Sequence, residues 1–436
     1  MTSDQPAFSF RSVALSAFLP AALFAIGEGA IIPVIPVVAD RLGASLPLAG
    51  FVAALILVGE LVGDVPSGWL VARIGERTGM IGAALASIVG LVTCLLAPTT
   101  WVLAIGVFVI GLSTAVFALA RHAFMTTHVP LAIRARALSS LGGVFRLGAF
   151  VGPLIAAGVI HVTGTAQSAF VVHIIGCLGA AAVLLVVRDP AATTGAGAGL
   201  RPSSTSTTTV TEGAGDQVER AVRGLFPTLW ANRGVLVKLG SGAALIGAMR
   251  SGRQVMLPLW AVSIGLGDST TALIIGIAGA VDFALFYTSG QIMDRWGRLA
   301  SALPCMLGLS ASYLALAATH DADARVQLFV VVALAMSLAN GIGSGILMTL
   351  GADLADPRDP APFLGAWRFT GDAGSAAAPL LVSGLTAVAS ISVASAAMGV
   401  LGLVGAGVLL RYVPRYVPRH RPRPEADPPP ASDDLT

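Results

Sequence analysis

The sequence predicts an all-α polytopic membrane protein, with 12 transmembrane helices that form two six-helix bundles related by an internal repeat. Three features predict this fold: a composition poor in charge, a series of apolar runs of membrane-spanning length, and motifs that recur in both halves. Of the 436 residues, 55% are hydrophobic and 11% are charged, whereas a soluble domain has about 25% charged residues. Such a chain cannot cover a water-facing surface, which excludes a cytosolic or secreted enzyme and a nucleic-acid-binding protein.

The predicted helices are apolar runs long enough to cross a bilayer, which takes about 20 residues per helix. Twelve such runs occur, in two groups of six. The predicted spans of the first group are approximately 11–38, 48–72, 79–97, 101–124, 137–160 and 166–187. The predicted spans of the second group are approximately 235–263, 270–292, 300–318, 326–350, 363–387 and 391–410.

The two groups of spans divide the chain into four parts. Residues 1–187 are predicted to form the N-terminal six-helix bundle, and residues 235–411 the C-terminal six-helix bundle. Residues 188–234 are rich in Gly, Ser and Thr, a composition typical of a flexible linker. Residues 412–436 are Pro-rich and charged, which predicts a disordered tail near anionic headgroups.

The distribution of arginine predicts the orientation in the membrane. Of the 26 Lys and Arg residues, 25 are Arg. If both termini are cytoplasmic, the outer loops contain only Arg41 and Arg325, and the remaining loop arginines face the cytoplasm. Because cytoplasmic loops carry the excess of basic residues, we predict a multi-pass protein of the cell membrane with both termini inside. The first span is expected to be retained as a helix, since it lacks a small-residue cleavage site.

The two halves share sequence motifs. The segment GWLVARIGER begins at Gly68, and GQIMDRWGRL begins 222 residues later at Gly290. The same offset pairs Pro36 with Pro258, Gly43 with Gly265, Glu60 with Asp282, Arg73 with Arg295 and Gly75 with Gly297. An offset of 226 pairs Gly148 with Gly374, Pro153 with Pro379 and Gly158 with Gly384. Such a parallel repeat is found in a large class of transporters whose binding site lies between the halves.

The second-half motif, GQIMDRWGR, resembles the G-x-L-A-D-R-x-G-R signature of the major facilitator superfamily. The first-half copy is similar, with Ala72 where that family has Asp. The run RLGAFVGPLIAAG in span 5, with Gly148, Gly152 and Pro153, resembles a motif of the superfamily's drug–proton antiporters. Val107 stands where that antiporter branch has an arginine in span 4.

The resemblance implies that the loop motifs latch the inner gate of a carrier, with Asp353 as the acidic partner in the second half. The residues of these motifs are Gly68, Arg73, Gly75, Arg77, Gly290, Asp294, Arg295, Gly297, Arg298 and Asp353. The alternative is that these basic loops only fix the topology.

Charged residues inside the predicted spans are the candidates for function, because each costs roughly 2.5–3.5 kcal/mol at a helix centre. From these residues we select Glu28, Glu60, Asp64, Arg146, Arg250, Arg253, Asp282 and Asp372. Glu60 and Asp64 lie one helical turn apart, where like charge and desolvation favour protonation. For proton coupling we rank Glu28 first, then Glu60, then Asp282 and Asp64.

The repeat suggests partners for some of these charges. Glu28 corresponds to Arg250 and Arg146 corresponds to Asp372, so each symmetry-related pair carries opposite charge and is a candidate ion pair between the halves. Arg250 and Arg253, with Gln254, could instead bind an anionic or polar group of a substrate. The alternative is that they are counter-ions to the carboxylates.

The sequence contains no phosphate-binding loop and no metal-binding motif, so we predict no cofactor and no metal. An ion gradient then remains as the energy source. We predict a monomeric, proton-coupled exporter of small, largely hydrophobic molecules, with a mostly apolar cavity; the partners are the substrate, protons and the lipid bilayer. The alternative is a proton symporter that imports a sugar or an organic acid. A membrane enzyme or a non-transporting sensor is a third possibility, which the lack of a catalytic cluster disfavours.

Overall fold

The computed structural model describes residues 18–128, 131–187, 225–355 and 361–417. These residues form helices and no strand, which confirms the predicted all-α polytopic fold. The twelve long helices are α1 (Leu19–Arg41), α2 (Leu46–Ile74), α3 (Glu76–Leu95), α4 (Thr100–His128), α5 (Leu131–Thr163), α6 (Ser168–Val186), α7 (Ser241–Ser263), α8 (Asp268–Trp296), α9 (Arg298–Ala317), α10 (Arg325–Leu354), α11 (Ala361–Val388) and α12 (Ile391–Tyr416).

Ten of the described helices are long and apolar enough to cross a membrane. The other two long helices are α7 and α11, which correspond to predicted spans 7 and 11. Arg250, Arg253 and Gln254 lower the mean hydropathy of α7, and Arg368 and Asp372 lower that of α11. Helices with this composition are tolerated in a bilayer when their polar faces contact protein or water.

The predicted linker and tail lie mostly outside the described residues. The end of the linker, however, contains a short helix, Leu225–Ala231, followed by a helical turn and the π-helical segment Leu236–Gly240 that leads into α7. Helix α12 continues to Tyr416, past the predicted boundary at 411. Hydropathy falls at Arg411, but a helix needs no apolar residues once it has left the bilayer.

The same helix pairs pack together in both halves. The contacts α1–α5, α1–α6, α2–α4, α3–α4 and α3–α6 recur as α7–α11, α7–α12, α8–α10, α9–α10 and α9–α12. Across the halves, α5 packs against α8 and α2 packs against α11, and these two contacts are also related by the repeat. The internal repeat of the sequence therefore corresponds to a repeat of helix packing.

Turns at equivalent positions share a backbone conformation that favours glycine. Gly75 and Gly297, which follow α2 and α8, have φ of 81° and 88°. Gly43 and Gly265, which precede α2 and α8, have φ of 81° and 73°. Below, the end of the bundle with Gly75 and Gly297 is called the basic end, and the end with Gly43 and Gly265 the opposite end.

Two helices are broken inside the bundle. Helix α1 is interrupted between Ile31 and Ile35, where Pro33 lies in a turn. Helix α10 is interrupted between Ile342 and Ile346. A break releases backbone carbonyl groups from the helical hydrogen-bond ladder, and in α10 these carbonyls contact arginines of the candidate site.

The glycines of the span 5 motif pack α5 directly against α1. A Cβ built on Gly152 lies 2.5 Å from Ala30 N and 2.6 Å from Gly29 C, whereas a Cβ built on Gly158 has no neighbour within 4 Å. We expect Gly152→Ala to destabilise the protein by about 1–3 kcal/mol through overpacking, and Gly158→Ala on the same helix to leave stability unchanged. Thermal unfolding of the two purified variants measures the difference, and equal melting temperatures would contradict the packing role.

Candidate functional site

Among the side chains that the structure describes, ten charged ones lie in the interior of the bundle, in cavities or buried between helices. The five carboxylates are Glu28, Glu60, Asp64, Asp282 and Asp372. The five arginines are Arg121, Arg146, Arg250, Arg253 and Arg368. With every group ionised their charges sum to zero, so the bundle interior is neutral although it is rich in charge.

Two cavities lie between the halves and together contain most of these side chains. The larger encloses about 900 Å³ of space between α2 and α4 of the first half and α7, α10 and α11 of the second. The smaller encloses about 660 Å³ between α1, α5, α7, α8 and α10. Gln254 lines both, so the two cavities adjoin at this residue of α7.

The larger cavity carries a cluster of carboxylates on two facing helices. Glu60 and Asp64 reach it from α2, and Arg368 and Asp372 reach it from α11. Arg368 Nε lies 3.3 Å from Asp372 Oδ2, and the two side chains are 59% and 42% exposed. Charged groups so exposed inside the bundle need water around them. The expectation of a mostly apolar cavity is therefore wrong for the larger cavity, which is lined by five charged side chains including Arg250.

Glu28 is buried beside this cavity. Its Oε1 accepts a hydrogen bond of 3.0 Å from the Thr114 hydroxyl, and Thr114 itself lines the larger cavity. Arg121, 1% exposed, acts electrostatically on Glu28 and stacks over the ring of Phe145 at 3.8 Å. Glu28 is thus separated from the cavity by a single hydroxyl group.

Asp282 is held by three side chains. Its Oδ1 accepts from Arg146 at 3.1 Å, and its Oδ2 accepts from Arg253 at 3.2 Å and from the Asn340 amide. Arg253 also donates to the Ser337 hydroxyl at 2.6 Å. Because Arg146 belongs to α5 and Asp282 to α8, this ion pair joins the two halves at the centre of the bundle.

The structure corrects the pairing inferred from the repeat. Arg146 pairs with Asp282, and Asp372 pairs with Arg368; the sequence suggested Arg146 with Asp372. The physical reason is that, across the halves, α5 packs against α8 and α11 packs against α2. Asp372, the symmetry mate of Arg146, lies on α11 and is therefore placed beside α2. Glu28 likewise bonds to Thr114, and Arg250, its symmetry mate, bonds to the broken helix α10.

The break in α10 supplies backbone acceptors for two arginines. Arg250 donates to the Gly343 carbonyl, and Arg146 donates to the Ser344 carbonyl at 3.1 Å. Arg250 Nε is buried without a hydrogen-bond partner, and in the described part of the chain no carboxylate forms an ion pair with Arg250.

A family model described as Major Facilitator Superfamily matches residues 17–376, which is most of the chain. The chain belongs to the Major Facilitator Superfamily. It is a transporter, not an enzyme, and a multi-pass membrane protein, as the sequence predicts.

Curated relatives within the superfamily share shorter segments. An uncharacterized MFS-type transporter of Mycobacterium tuberculosis is 29% identical over 131 residues, which cover 30% of this chain and 19% of the relative. Inositol transporter 4 of Arabidopsis thaliana is 24% identical over 118 residues, which cover 27% of this chain and 20% of the relative. The match thus spans about a fifth of the length of these curated relatives.

Solved structures of superfamily transporters share the fold over nearly the whole chain. A crystal structure of a D-xylose-proton symporter superposes with a TM-score of 0.69 at 17% identity, covering 94% of this chain and 98% of that one. A POT family transporter in complex with a thioalcohol-conjugated peptide gives a TM-score of 0.72 at 12% identity, covering 93% and 96%. At these identities the likeness shows the fold alone.

The superfamily's signature loop in the second half forms a cluster of ion pairs at the basic end. Arg298 Nε lies 2.8 Å from Asp353 Oδ2, and Arg298 Nη1 lies 3.4 Å from Asp294 Oδ1. Arg298 also donates to the Met293 carbonyl at 3.3 Å. The cluster ties the α8–α9 turn to α10, so in this structure it acts within the second half.

In the described part of the chain, the first-half copy of the signature contacts helix-end carbonyls. Arg77 donates to the carbonyls of Leu184 and Val187 at the end of α6, where a cation is favoured by the helix dipole. Arg73 lies over the ring of Trp69 at 4.5 Å. This copy therefore ties α3 to α6 within the first half.

At the opposite end the two halves are joined. Arg41, at the end of α1, forms an ion pair with Asp268 at the start of α8. Ser269 donates to the Ala157 carbonyl at 2.9 Å, and Ser383 donates to the Pro47 carbonyl at 2.7 Å. These contacts close the interface on this side of the two cavities.

Sequence reasoning missed five residues of the site, among them the uncharged Thr114, which only its hydrogen bond to Glu28 identifies. Arg121 and Arg368 lie within predicted spans 4 and 11, so the argument from the cost of intramembrane charge applied to both. Ser337 and Asn340 are uncharged, and only their contacts with Arg253 and Asp282 identify them.

Proposed function

We propose that this superfamily member is a proton-coupled secondary transporter that exports small, largely hydrophobic molecules by alternating access. The observation that carries the proposal is the carboxylate cluster of Glu60, Asp64 and Asp372 in a cavity between the two halves. A proton carrier needs an acidic side chain that water reaches from one side of the membrane. Protonation of that side chain must also change the electrostatic interaction between the two halves.

Glu60 is the coupling residue that the geometry favours. Glu60 lies one turn from Asp64 on α2, and both line the same cavity as Asp372; repulsion among neighbouring carboxylates favours binding of a proton. Glu28, ranked first from the sequence, has the Thr114 hydroxyl between it and the cavity and is assigned a supporting role. Asp282, already neutralised by two arginines, is assigned a structural role.

The closed opposite end and the exposed charges of the larger cavity support alternating access. Because the halves are joined at the opposite end, we infer that the larger cavity opens toward the basic end, predicted to be cytoplasmic, and that a substrate enters from that side. Rocking of the two halves would break the contacts at Arg41 and Asp268 and open the other side. We place the transporter in the cell membrane, with both termini cytoplasmic, as a monomer.

The proton gradient supplies enough energy for such a cycle. A membrane potential contributes about 2.3 kcal/mol per charge per 100 mV, and each pH unit contributes about 1.4 kcal/mol. One proton therefore supports a solute gradient of roughly ten- to several-hundred-fold.

Two features support a largely hydrophobic substrate and export. The smaller cavity has apolar walls formed by Ile32, Leu257, Ile275 and Phe283, which suit an apolar body of a solute. The span 5 motif with Gly152 and Pro153 resembles that of the drug–proton antiporters, which are exporters.

A specific observation favours the second candidate, a proton symporter that imports an organic acid. Arg250 lines the larger cavity without a carboxylate partner among the described residues, and a guanidinium in such a position suits an anionic group. A sugar importer has no comparable support from a described side chain.

Reconstitution into proteoliposomes tests both candidates. With a panel of lipophilic dyes and small organic acids, uptake into vesicles with an acidic interior, accompanied by outward proton movement reported by pyranine, is expected for the exporter. Uptake into vesicles with an alkaline interior supports the symporter instead. Solute flux that is indifferent to the pH gradient and moves no protons would contradict proton coupling.

A further inference from the structure

The arginines at the centre of the bundle exceed the carboxylates that pair with them. Arg146 and Arg250 bind carbonyls at the break in α10, and Arg146 and Arg253 share the carboxylate of Asp282. Asp282 neutralises one positive charge, whereas an excess of buried positive charge is costly unless an anion compensates it.

Arg250 differs from the other two arginines in its partners. Arg146 and Arg253 each bind a carboxylate oxygen of Asp282. Arg250 binds the Gly343 carbonyl, its Nε is buried without a hydrogen-bond partner, and its side chain lines the larger cavity. The sequence left open whether the α7 arginines are counter-ions or ligands of a substrate. The structure separates them, with Arg253 as a counter-ion and Arg250 available to a ligand.

The surroundings of Arg250 are suited to one end of an amphipathic molecule. Gln254 follows one turn later on α7, lines the same cavity, and also lines the smaller cavity, whose walls are mostly apolar apart from Arg146, Arg253, Asp282 and Ser337. A solute whose polar group lies at Arg250 can therefore extend its apolar body past Gln254 into the smaller cavity. The polar and apolar parts of the site lie side by side.

The described carboxylates of the larger cavity do not pair with Arg250, so its guanidinium group is available to a ligand. Arg368 pairs with Asp372 on the α11 side of this cavity, and Glu60 and Asp64 lie one turn apart on α2. Among the described residues no carboxylate forms an ion pair with Arg250, which binds the Gly343 carbonyl instead. The cavity thus has an acidic region for the proton and a separate basic region at Arg250.

We propose that Arg250 binds the anionic group of the transported solute, and that this solute is a small amphipathic carboxylate. Gln254 supplies a second donor, and the apolar body occupies the smaller cavity. Asp282 stays paired with Arg146 and Arg253 whether or not the solute is bound. The inference rests on the proposed function in one respect, namely that the substrate passes through these two cavities. It holds whether the protein exports or imports the solute.

Equilibrium binding to the purified full-length protein in detergent tests this site. The probes are benzoate, hexanoate and 4-phenylbutyrate, each compared with its neutral amide by calorimetry in buffer free of other carboxylates. We expect at least one acid to bind about 10- to 100-fold more tightly than its amide, the ratio typical of a charge-assisted hydrogen bond. Equal affinity for acid and amide, or no binding by any acid, would overturn the proposal.

Substitutions test whether Arg250 is the residue that binds the carboxylate of the solute. Arg250→Gln is expected to weaken binding of the acid about 10- to 100-fold while leaving binding of the amide unchanged, and Arg250→Lys to weaken it less. The matched control is Arg233→Gln, an exposed arginine before α7, which is expected to bind normally. If Arg250→Gln does not fold, Gln254→Leu must reduce the preference for acid over amide. An unchanged preference in the folded variant rejects the site.

This experiment separates the two proposals. No proton gradient is present in detergent, so loss of acid binding in Arg250→Gln supports the anion site even if transport proves independent of protons. Conversely, proton-driven flux of neutral or cationic solutes alone would retain the proposed function and reject Arg250 as an anion ligand.

Discussion

Replacing Asp282 with asparagine is expected to lower the free energy of unfolding by about 3–5 kcal/mol, the usual cost of removing one partner of a buried ion pair. Asp282 is 13% exposed and is the carboxylate for both Arg146 and Arg253. An amide leaves two guanidinium groups in the interior without a counter-charge. The loss is measured as a lower apparent melting temperature and a shorter inactivation half-life of the purified protein, since membrane proteins often unfold irreversibly.

A second carboxylate provides the control for this prediction. Asp372 pairs with Arg368, but both side chains are exposed to the larger cavity, and an exposed ion pair contributes only about 0–1 kcal/mol. Asp372→Asn should therefore melt close to the wild type. If Asp282→Asn is no less stable than Asp372→Asn, Asp282 does not hold the arginines as described.

Coupling between the partners gives a further check. In the double variant with Arg146→Gln and Asp282→Asn, one of the uncompensated cations is also removed. The double variant is therefore expected to be more stable than the sum of the single losses by about 0.5–3 kcal/mol, the range found for contacting residues. Strict additivity would show that Arg146 and Asp282 do not interact across the halves.

The architecture was predictable because its signals are local. The low charge content and the length of each apolar run determine whether a helix can reside in a bilayer, and both are read directly from the chain. Equivalent glycines such as Gly75 and Gly297 then confirm the repeat through the same positive φ. The two long helices that are not apolar enough to be identified as spans, α7 and α11, both line the larger cavity with charged side chains, as α2 also does.

The partners of the charged residues were less predictable, because they depend on contacts between distant helices. The cost of a charge in lipid identified Arg146 and Asp282 as candidates, but only the packing of α5 on α8 brings them together. The carbonyl groups of Gly343 and Ser344 became acceptors because α10 is broken there. A repeat offset states which positions are equivalent, and it does not state which positions touch.

Replacing Glu60 with glutamine is expected to abolish proton-driven accumulation of the substrate while leaving exchange down its own gradient intact. Glutamine keeps the size and polarity of the side chain but carries no exchangeable charge, so the cavity can still bind solute. At a membrane potential of 100 mV one proton is worth about 2.3 kcal/mol, so the accumulation ratio should fall from roughly 50-fold to about one. Proteoliposome uptake with and without an imposed gradient measures both properties.

The matched control for Glu60→Gln is Asp321→Asn, at a carboxylate that is 99% exposed in the loop before α10. It removes a charge outside the cavity and should retain full accumulation. Glu28→Gln distinguishes the two candidate acids. If Glu28→Gln abolishes accumulation and Glu60→Gln does not, the transported proton binds to Glu28, and the carboxylates in the cavity only affect the proton affinity of Glu28. If both variants accumulate substrate normally, protonation of these glutamates does not drive the cycle, and the coupling assigned to the acidic region is wrong.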